Sequence, residues 1–313
     1  MATHNILHWP IPEALATCKA VVYRNQFANK LARMPVEEAI RSYVYLTPED
    51  LANLLETAIA HVHPFKLSGV GVELGAGCAL LSSVVARRFD VEKIYAVEVC
   101  RAIAETLAPR VAEFVLNGRA DRVVPTVGSF DDMQLPDGSL DFAIEIDSLH
   151  HSDDLVTTLR ECARVLRAGA LLICFDRAHP DSVSDEQITK LLDHVYGASF
   201  LEANGYPADS RLTRRENGEH EYRLREWRYA FSRAGFEVLG ARRVHKRITF
   251  NRATKGMLSV LPGAISRRLT RTGDATLSST LHFMLHFLPK TPTQCGSSLI
   301  GPKDTTIFVA RRL

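Results

Sequence analysis

Residues Val70 to Leu81 read V-G-V-E-L-G-A-G-C-A-L-L. A short apolar run ends in a carboxylate at Glu73, two glycines follow at Gly75 and Gly77, and an apolar periodic segment starts at once. The pattern predicts a buried strand, a tight turn and a helix. Glycine suits such a turn because a ligand lies against its backbone and because side chains would keep the helix off the strand. A nucleoside cofactor is the natural occupant, although Gly-rich strand-to-helix turns also occur without a ligand.

Reading outward, Lys93 to Val97 forms a second strand that ends at Glu98. A carboxylate about twenty residues past the glycines, at the end of the next strand, is placed to accept hydrogen bonds from a ribose diol. A helix covers Arg101 to Leu116, a third strand Arg122 to Val127, and a fourth Leu140 to Ile146, which stops at Asp147. Ser152 or Asp153 is placed to cap a helix running to Leu166. A fifth strand follows Gly169 and ends at D-R-A-H-P, Asp176 to Pro180. Five alternations of strand and helix give a parallel sheet with helices on both faces, and ligands of such sheets bind outside the carboxyl ends of the strands. Glu73, Glu98, Asp131, Asp147, His150, His151, Asp176 and His179 all fall there.

Before the glycine turn, residues 12–63 read as helical, with Thr47, Pro48 and Glu49 as cap, first-turn proline and first-turn acid. This extension either covers the cofactor cleft or packs on the sheet edge. The 313-residue chain carries a net charge of +2, which hides an asymmetry: from Arg211 onward about 20 basic residues face about 7 acidic ones. That half could meet an acidic acceptor, an anionic membrane surface or nucleic acid, or form a solvated face. Met1 to Pro12 lacks the pattern of a secretory signal, and no apolar stretch reaches the roughly eighteen residues that span a bilayer. A cytoplasmic protein is expected. The scattered cysteines read as buried thiols.

With these motifs the chain resembles a class I S-adenosylmethionine-dependent methyltransferase. Residues 67–178 carry the resemblance; Arg225 to Leu239 resembles the helix before the family's sixth strand, and Asp304 to Arg312 its seventh, antiparallel strand. The resemblance implies a Rossmann-like α/β fold with a seven-stranded, mostly parallel sheet, antiparallel in its last strand. A helical extension spans residues 1–66, and the methyltransferase domain spans 67–313 with insertions at about 178–222 and 250–302. It also implies that Glu73, Gly75, Ala76 and Gly77 line the methionine portion of S-adenosyl-L-methionine, that Glu98 and the adjacent Val99 serve the ribose, and that Asp147 stands beside the methyl donor. Two positions depart from the family pattern. Ala79 replaces its third glycine, and Ser129 stands where many members have an aspartate near the adenine; Phe130 and Asp131 are the substitute contacts.

Methyl transfer to a hydroxyl requires alignment and removal of a proton. A histidine with an ordinary pKa of about 6.5 suits that task, and His151, then His150, follow the fourth strand where the acceptor should lie. Arg177, His179, His220 and Tyr222 are the expected acceptor contacts, arginine being suited to a carboxylate or phosphate. A divalent metal on Asp147 and Asp176 with His179 or His220 is conceivable, but the spacing is not diagnostic and no metal site is assigned. Residues 250–302 suit a lid, a dimer contact, a shallow membrane attachment or simple core packing. The expected function is O-methylation of a small molecule or glycan, with S-adenosyl-L-homocysteine as by-product. An RNA methyltransferase and a non-catalytic partner subunit are the alternatives, the first disfavoured because no N-P-P-Y-like sequence follows the fourth strand. The oligomeric state is left open.

Overall fold

The computed structural model describes residues 5–44, 46–207, 209–245 and 304–313. The insertion expected at 250–302 lies outside the described residues. In the N-terminal extension, β1 (Leu7–His8) precedes α1 (Glu13–Ala16), α2 (Lys19–Leu31), α3 (Val36–Tyr43) and α4 (Pro48–Asn53). The expected cap is present at α4: Thr47 accepts from the Asp50 amide, and the Asp50 side chain accepts from the Thr47 amide.

The glycine stretch then forms β2 (Ser68–Leu74) and α5 (Leu80–Arg88), followed by β3 (Asp90–Glu98), α6 (Ala108–Leu116), β4 (Val123–Val127) and β5 (Leu140–Ile146). α7 (Leu155–Val165) and β6 (Leu166–Arg177) complete the alternation. The cap of α7 is Asp154, whose carboxylate accepts from the Val156 and Thr157 amides. Ser152 and Asp153 do not cap it; the Ser152 hydroxyl pairs instead with Thr158. The segment after β6 holds α8 (Asp185–Leu192) and α9 (Ala198–Ala203), and the chain continues through α10 (Leu224–Arg233), β7 (Phe236–His245) and β8 (Asp304–Arg312).

The sheet order is β1-β4-β3-β2-β5-β6-β8-β7. β1 to β6 pair in parallel, and β8 runs antiparallel to both β6 and β7. The seven expected strands are therefore joined by an eighth, the two-residue β1 on the β4 edge, with the Trp9 amide donating to the Val127 carbonyl at 2.8 Å. Central strands read as near-continuous apolar runs because helices cover both faces; β4, V-V-P-T-V, is buried throughout. One core joins α5, α6 and the N-terminal helices to the sheet, and a second lies under α7 and α10. Strand order reverses between β2 and β5, which opens a crevice at their carboxyl ends. Among the described residues no helix is long and apolar enough to cross a membrane.

Candidate active site

The glycine turn closes the carboxyl end of β2. Gly75 and Gly77 both have positive φ, +68° and +51°. Each is also packed to contact: a Cβ on Gly75 would stand 2.5 Å from the Ser148 Cβ, and one on Gly77 2.8 Å from the Tyr43 ring. Ala79, where the family pattern has glycine, likewise adopts left-handed φ, 58°. The Ala76 amide donates to the Val97 carbonyl at 2.8 Å, fastening the turn to the neighbouring strand.

Glu98 ends β3 beside that turn. One carboxylate oxygen accepts from the Gly77 amide at 2.8 Å and the other from the Cys100 amide at 2.7 Å. Each keeps a further lone pair, so the group fits the two hydroxyls of a ribose. Val99 is partly buried next to it. Glu73, expected beside the methionine portion, is 4% exposed. Its carboxylate accepts from the Ser82 amide at 2.9 Å and from the Ser82 hydroxyl, joining β2 to the first turn of α5. Burial pushes its pKa up to about 8 against those hydrogen bonds. At the adenine end Ser129 is buried, the Asp131 amide donates to its hydroxyl at 3.1 Å, and the Thr158 hydroxyl donates to the Asp131 carboxylate. Burial raises the Asp131 pKa while the Thr158 bond opposes it. The Phe130 ring lies near Gly75, 3.7 Å from an added Cβ.

The two histidines follow β5 and are held differently. His150 is 3% exposed, and its amide and its Nδ1 both meet the Asp176 carboxylate, at 2.8 and 2.7 Å. His151, half-buried with its ring 4.3 Å from that of His150, has Nδ1 2.9 Å from the Gly218 carbonyl. A carbonyl only accepts, so Nδ1 carries the proton and Nε2 keeps its lone pair. Burial, then the charges of His150, Arg24 and Arg177, hold the His151 pKa well below 6.5. The neutral form is thus the resting state near pH 7. Asp147 sits at the end of β5 with φ 55°, 3.8 Å from both His150 Nδ1 and Arg177 Nε.

Arg177 ends β6 and is buried against the segment that follows α9. Its Nη1 donates to Glu219 at 2.6 Å and to Glu221 at 3.1 Å. Arg214 donates to Glu219 at 3.0 Å, and His179 pairs with Glu221. Burial raises the Glu221 pKa, but the bond from His179 and the charge of Arg177 prevail and keep it below its ordinary value. His220 meets Asp153 at 3.1 Å, and the Tyr222 hydroxyl donates to the Ser152 carbonyl at 2.8 Å. The four expected acceptor residues therefore first of all fasten residues 214–223 onto the ends of β5 and β6. Donor atoms of Asp147, His150 and Asp176 lie within 4.8 Å of one another, whereas His179 and His220, the histidines considered for a metal from sequence, are engaged with Glu221 and Asp153.

Three participants were not legible in the sequence: Tyr43 over the Gly77 turn, Ser82 under Glu73, and the Gly218 carbonyl that orients His151. The extension reaches both places weighed for it: β1 pairs with the β4 edge, while the Tyr43 ring packs against Gly77 and the Asn25 side chain accepts from the Ala102 amide at 2.8 Å, just past Glu98.

Residues 72–174 match the family described as "Methyltransferase domain". A sarcosine/dimethylglycine N-methyltransferase of Halorhodospira halochloris is 34% identical over 102 residues, 32% of this chain and 35% of that protein. The chain thus matches about a third of that curated relative's length. Among solved structures, geranyl diphosphate methyltransferase in complex with GPP and sinefungin superposes with a TM-score of 0.52 at 14% identity, covering 93% of this chain and 100% of that one. The same enzyme in complex with SAM gives 0.50 at 16% identity, covering 84% and 85%. These structural likenesses show the fold. Residues 72–174 thus carry a methyltransferase domain, set in a sheet whose strand order and glycine turn facing Glu98 agree with the class I S-adenosylmethionine-dependent type that the sequence resembles. S-adenosylmethionine is the cofactor of that class, and the donor set at the turn fits it.

Proposed function

We propose that the protein transfers a methyl group from S-adenosylmethionine to a hydroxyl of a small molecule or sugar, with His151 as general base and in the cytoplasm. The cofactor, when bound, supplies a methyl group on a sulfonium, ready for in-line displacement. The glycine turn and Glu98 fix its nucleoside end, and residues 214–223 wall the acceptor side and exclude water. His151 then takes the hydroxyl proton at Nε2, while the Gly218 carbonyl keeps Nδ1–H in place and stabilises the cation that forms. The observation that carries this reading is the Nδ1 to Gly218 hydrogen bond, which leaves a neutral imidazole with its free lone pair beside the cleft.

An amine acceptor is the second reading, favoured by the N-methyltransferase relative. Incubating the protein with methyl-labelled S-adenosylmethionine and a panel of hydroxy acids, sugars and N-methylated glycines tests both. Label on oxygen that is lost in His151→Ala supports the first; label on nitrogen replaces it with the second.

A further inference from the structure

α10 buries Trp227, Ala230 and Phe231 against the sheet and turns Arg225, Arg228, Tyr229 and Arg233 to the surface. Tyr229 is 62% exposed, and Leu313, whose amide donates to the Gly235 carbonyl just past the helix, is 64% exposed; no other large apolar side chain among the described residues exceeds 41%. Between α10 and α7 lies a groove of about 700 Å³ lined by Arg160, Arg164, Arg167, Arg233 and Arg312, with Asp137 as its one acid. Two of these arginines are neutralised. Arg164 pairs with Asp137 at 2.6 Å and with Glu161 at 2.8 Å, and Arg167 pairs with Asp141 at 2.9 Å. Arg312 Nε and Arg160 Nε donate to the carbonyls of Ala163 at 2.9 Å and Arg233 at 3.4 Å, in the last turns of α7 and α10, where a cation offsets the helix dipole. Arg160, Arg225, Arg228 and Arg233 are exposed and pair with no carboxylate among the described residues. Arg225 and Arg228 stand one turn apart, a like-charge pair that weakens the helix. The groove opens at the amino ends of β5 and β6, beside Gly138 and Leu166, at the opposite end of the sheet from Glu98 and the histidines.

We propose that this face docks on an anionic phospholipid surface, the arginines taking headgroup phosphates while Tyr229 and Leu313 enter the interface. Guanidinium forks match phosphate oxygens, and basic residues near a bilayer are drawn by the negative potential of its cytoplasmic leaflet. Tyrosine settles at headgroup level because its ring is amphipathic. The two exposed apolar side chains favour lipid over nucleic acid, whose phosphate backbone is met by charged and polar groups and offers a leucine no partner. Docking by this end leaves the carboxyl ends of the strands open to a dissolved acceptor. The inference is independent of which acceptor that is.

The test mixes the whole protein with vesicles of phosphatidylcholine, either pure or with about 30 mol% phosphatidylglycerol, at about 50 mM salt, where surface charge is weakly screened. Sedimentation reads the bound fraction. The expected result is partition onto the anionic vesicles about tenfold or more tighter than onto pure phosphatidylcholine. Arg228→Gln and Arg233→Gln should each weaken it about fivefold, the scale of one basic residue at a charged surface. Tyr229→Ser should weaken it as well. All three positions are exposed, so thermal unfolding of the variants should stay within about 2 °C of the wild type. Equal partition onto the two kinds of vesicle, or an undiminished preference in the double Arg228→Gln and Arg233→Gln variant, overturns the proposal. So does a single-stranded oligonucleotide whose binding is lost in that double variant while Tyr229→Ser leaves vesicle binding intact, since that assigns the arginines to a nucleic acid.

Discussion

His151 Nδ1 lies 2.9 Å from the carbonyl oxygen of Gly218, a residue 67 positions away in the chain. This contact fixes the tautomer and ties the imidazole to residues 214–223. Because burial and neighbouring cations depress the pKa well below 6.5, His151 is neutral throughout the neutral range. The rate, measured as kcat/KM, should stay flat from about pH 8 to pH 6.5 and fall only as acid protonates Nε2. A limb centred at about 6.5, the ordinary value, would show that His151 is not held as described. The same shift enters stability: the unfolded chain binds the proton first, so this contribution is present above pH 6.5 and is lost as pH falls through the lower folded pKa.

Gly77→Ala should destabilise the fold by about 2 kcal/mol, combining the cost of a left-handed Cβ with crowding by Tyr43. Urea unfolding measures it. In a Tyr43→Ala background the penalty should shrink toward the backbone cost alone, and an unchanged penalty would show that the ring is not the obstacle.

The position of Glu73 gives a pH signature of opposite sign. Its folded pKa, about 8, is raised above the ordinary 4.5, so its contribution is fully present below about pH 4.5 and is lost as pH rises through 8. Glu73→Gln keeps an acceptor for the Ser82 amide and cannot ionise. Relative to the wild type it should gain stability between about pH 6 and pH 9 by roughly 1 kcal/mol or more. Thermal unfolding at those two pH values reads the difference, and parallel curves would contradict the buried carboxyl.

Glu98→Gln should weaken S-adenosyl-L-homocysteine binding tenfold or more, because charged acceptors contribute about 1.5–3 kcal/mol each and a carboxamide offers only one acceptor oxygen to the amides of Gly77 and Cys100 and to the ribose. Isothermal titration calorimetry gives the ratio. Affinity within twofold of wild type would remove Glu98 from the cofactor site.

Much of the fold was legible because its signals are local. The glycines at 75 and 77 mark positive φ, and the carboxylate at 98 follows at the spacing that one strand, one turn and one helix impose. The boundaries of β5 follow from its own apolar run, whereas those of β8 came from the family resemblance. β1 is only two residues long, too short to show any period, and it forms because Val127 offers an edge carbonyl. The cap falls at Asp154, one residue past Asp153 and two past Ser152, since three adjacent side chains can each cap a helix and only packing chooses. In the site, Glu98 and the histidines stood out by type and place. Tyr43 and the Gly218 carbonyl did not, because their partners lie across separate elements and no short-range pattern records such contacts. Glu73 was visible, but its pairing with Ser82 changes what it does.

The central claim, methyl transfer with His151 as the base, is tested most directly by comparing wild type and His151→Ala with methyl-labelled S-adenosylmethionine and the acceptor found in the panel. The account predicts a fall in kcat of about 10²–10⁴-fold, with S-adenosyl-L-homocysteine affinity unchanged by calorimetry. Undiminished turnover in His151→Ala would contradict it.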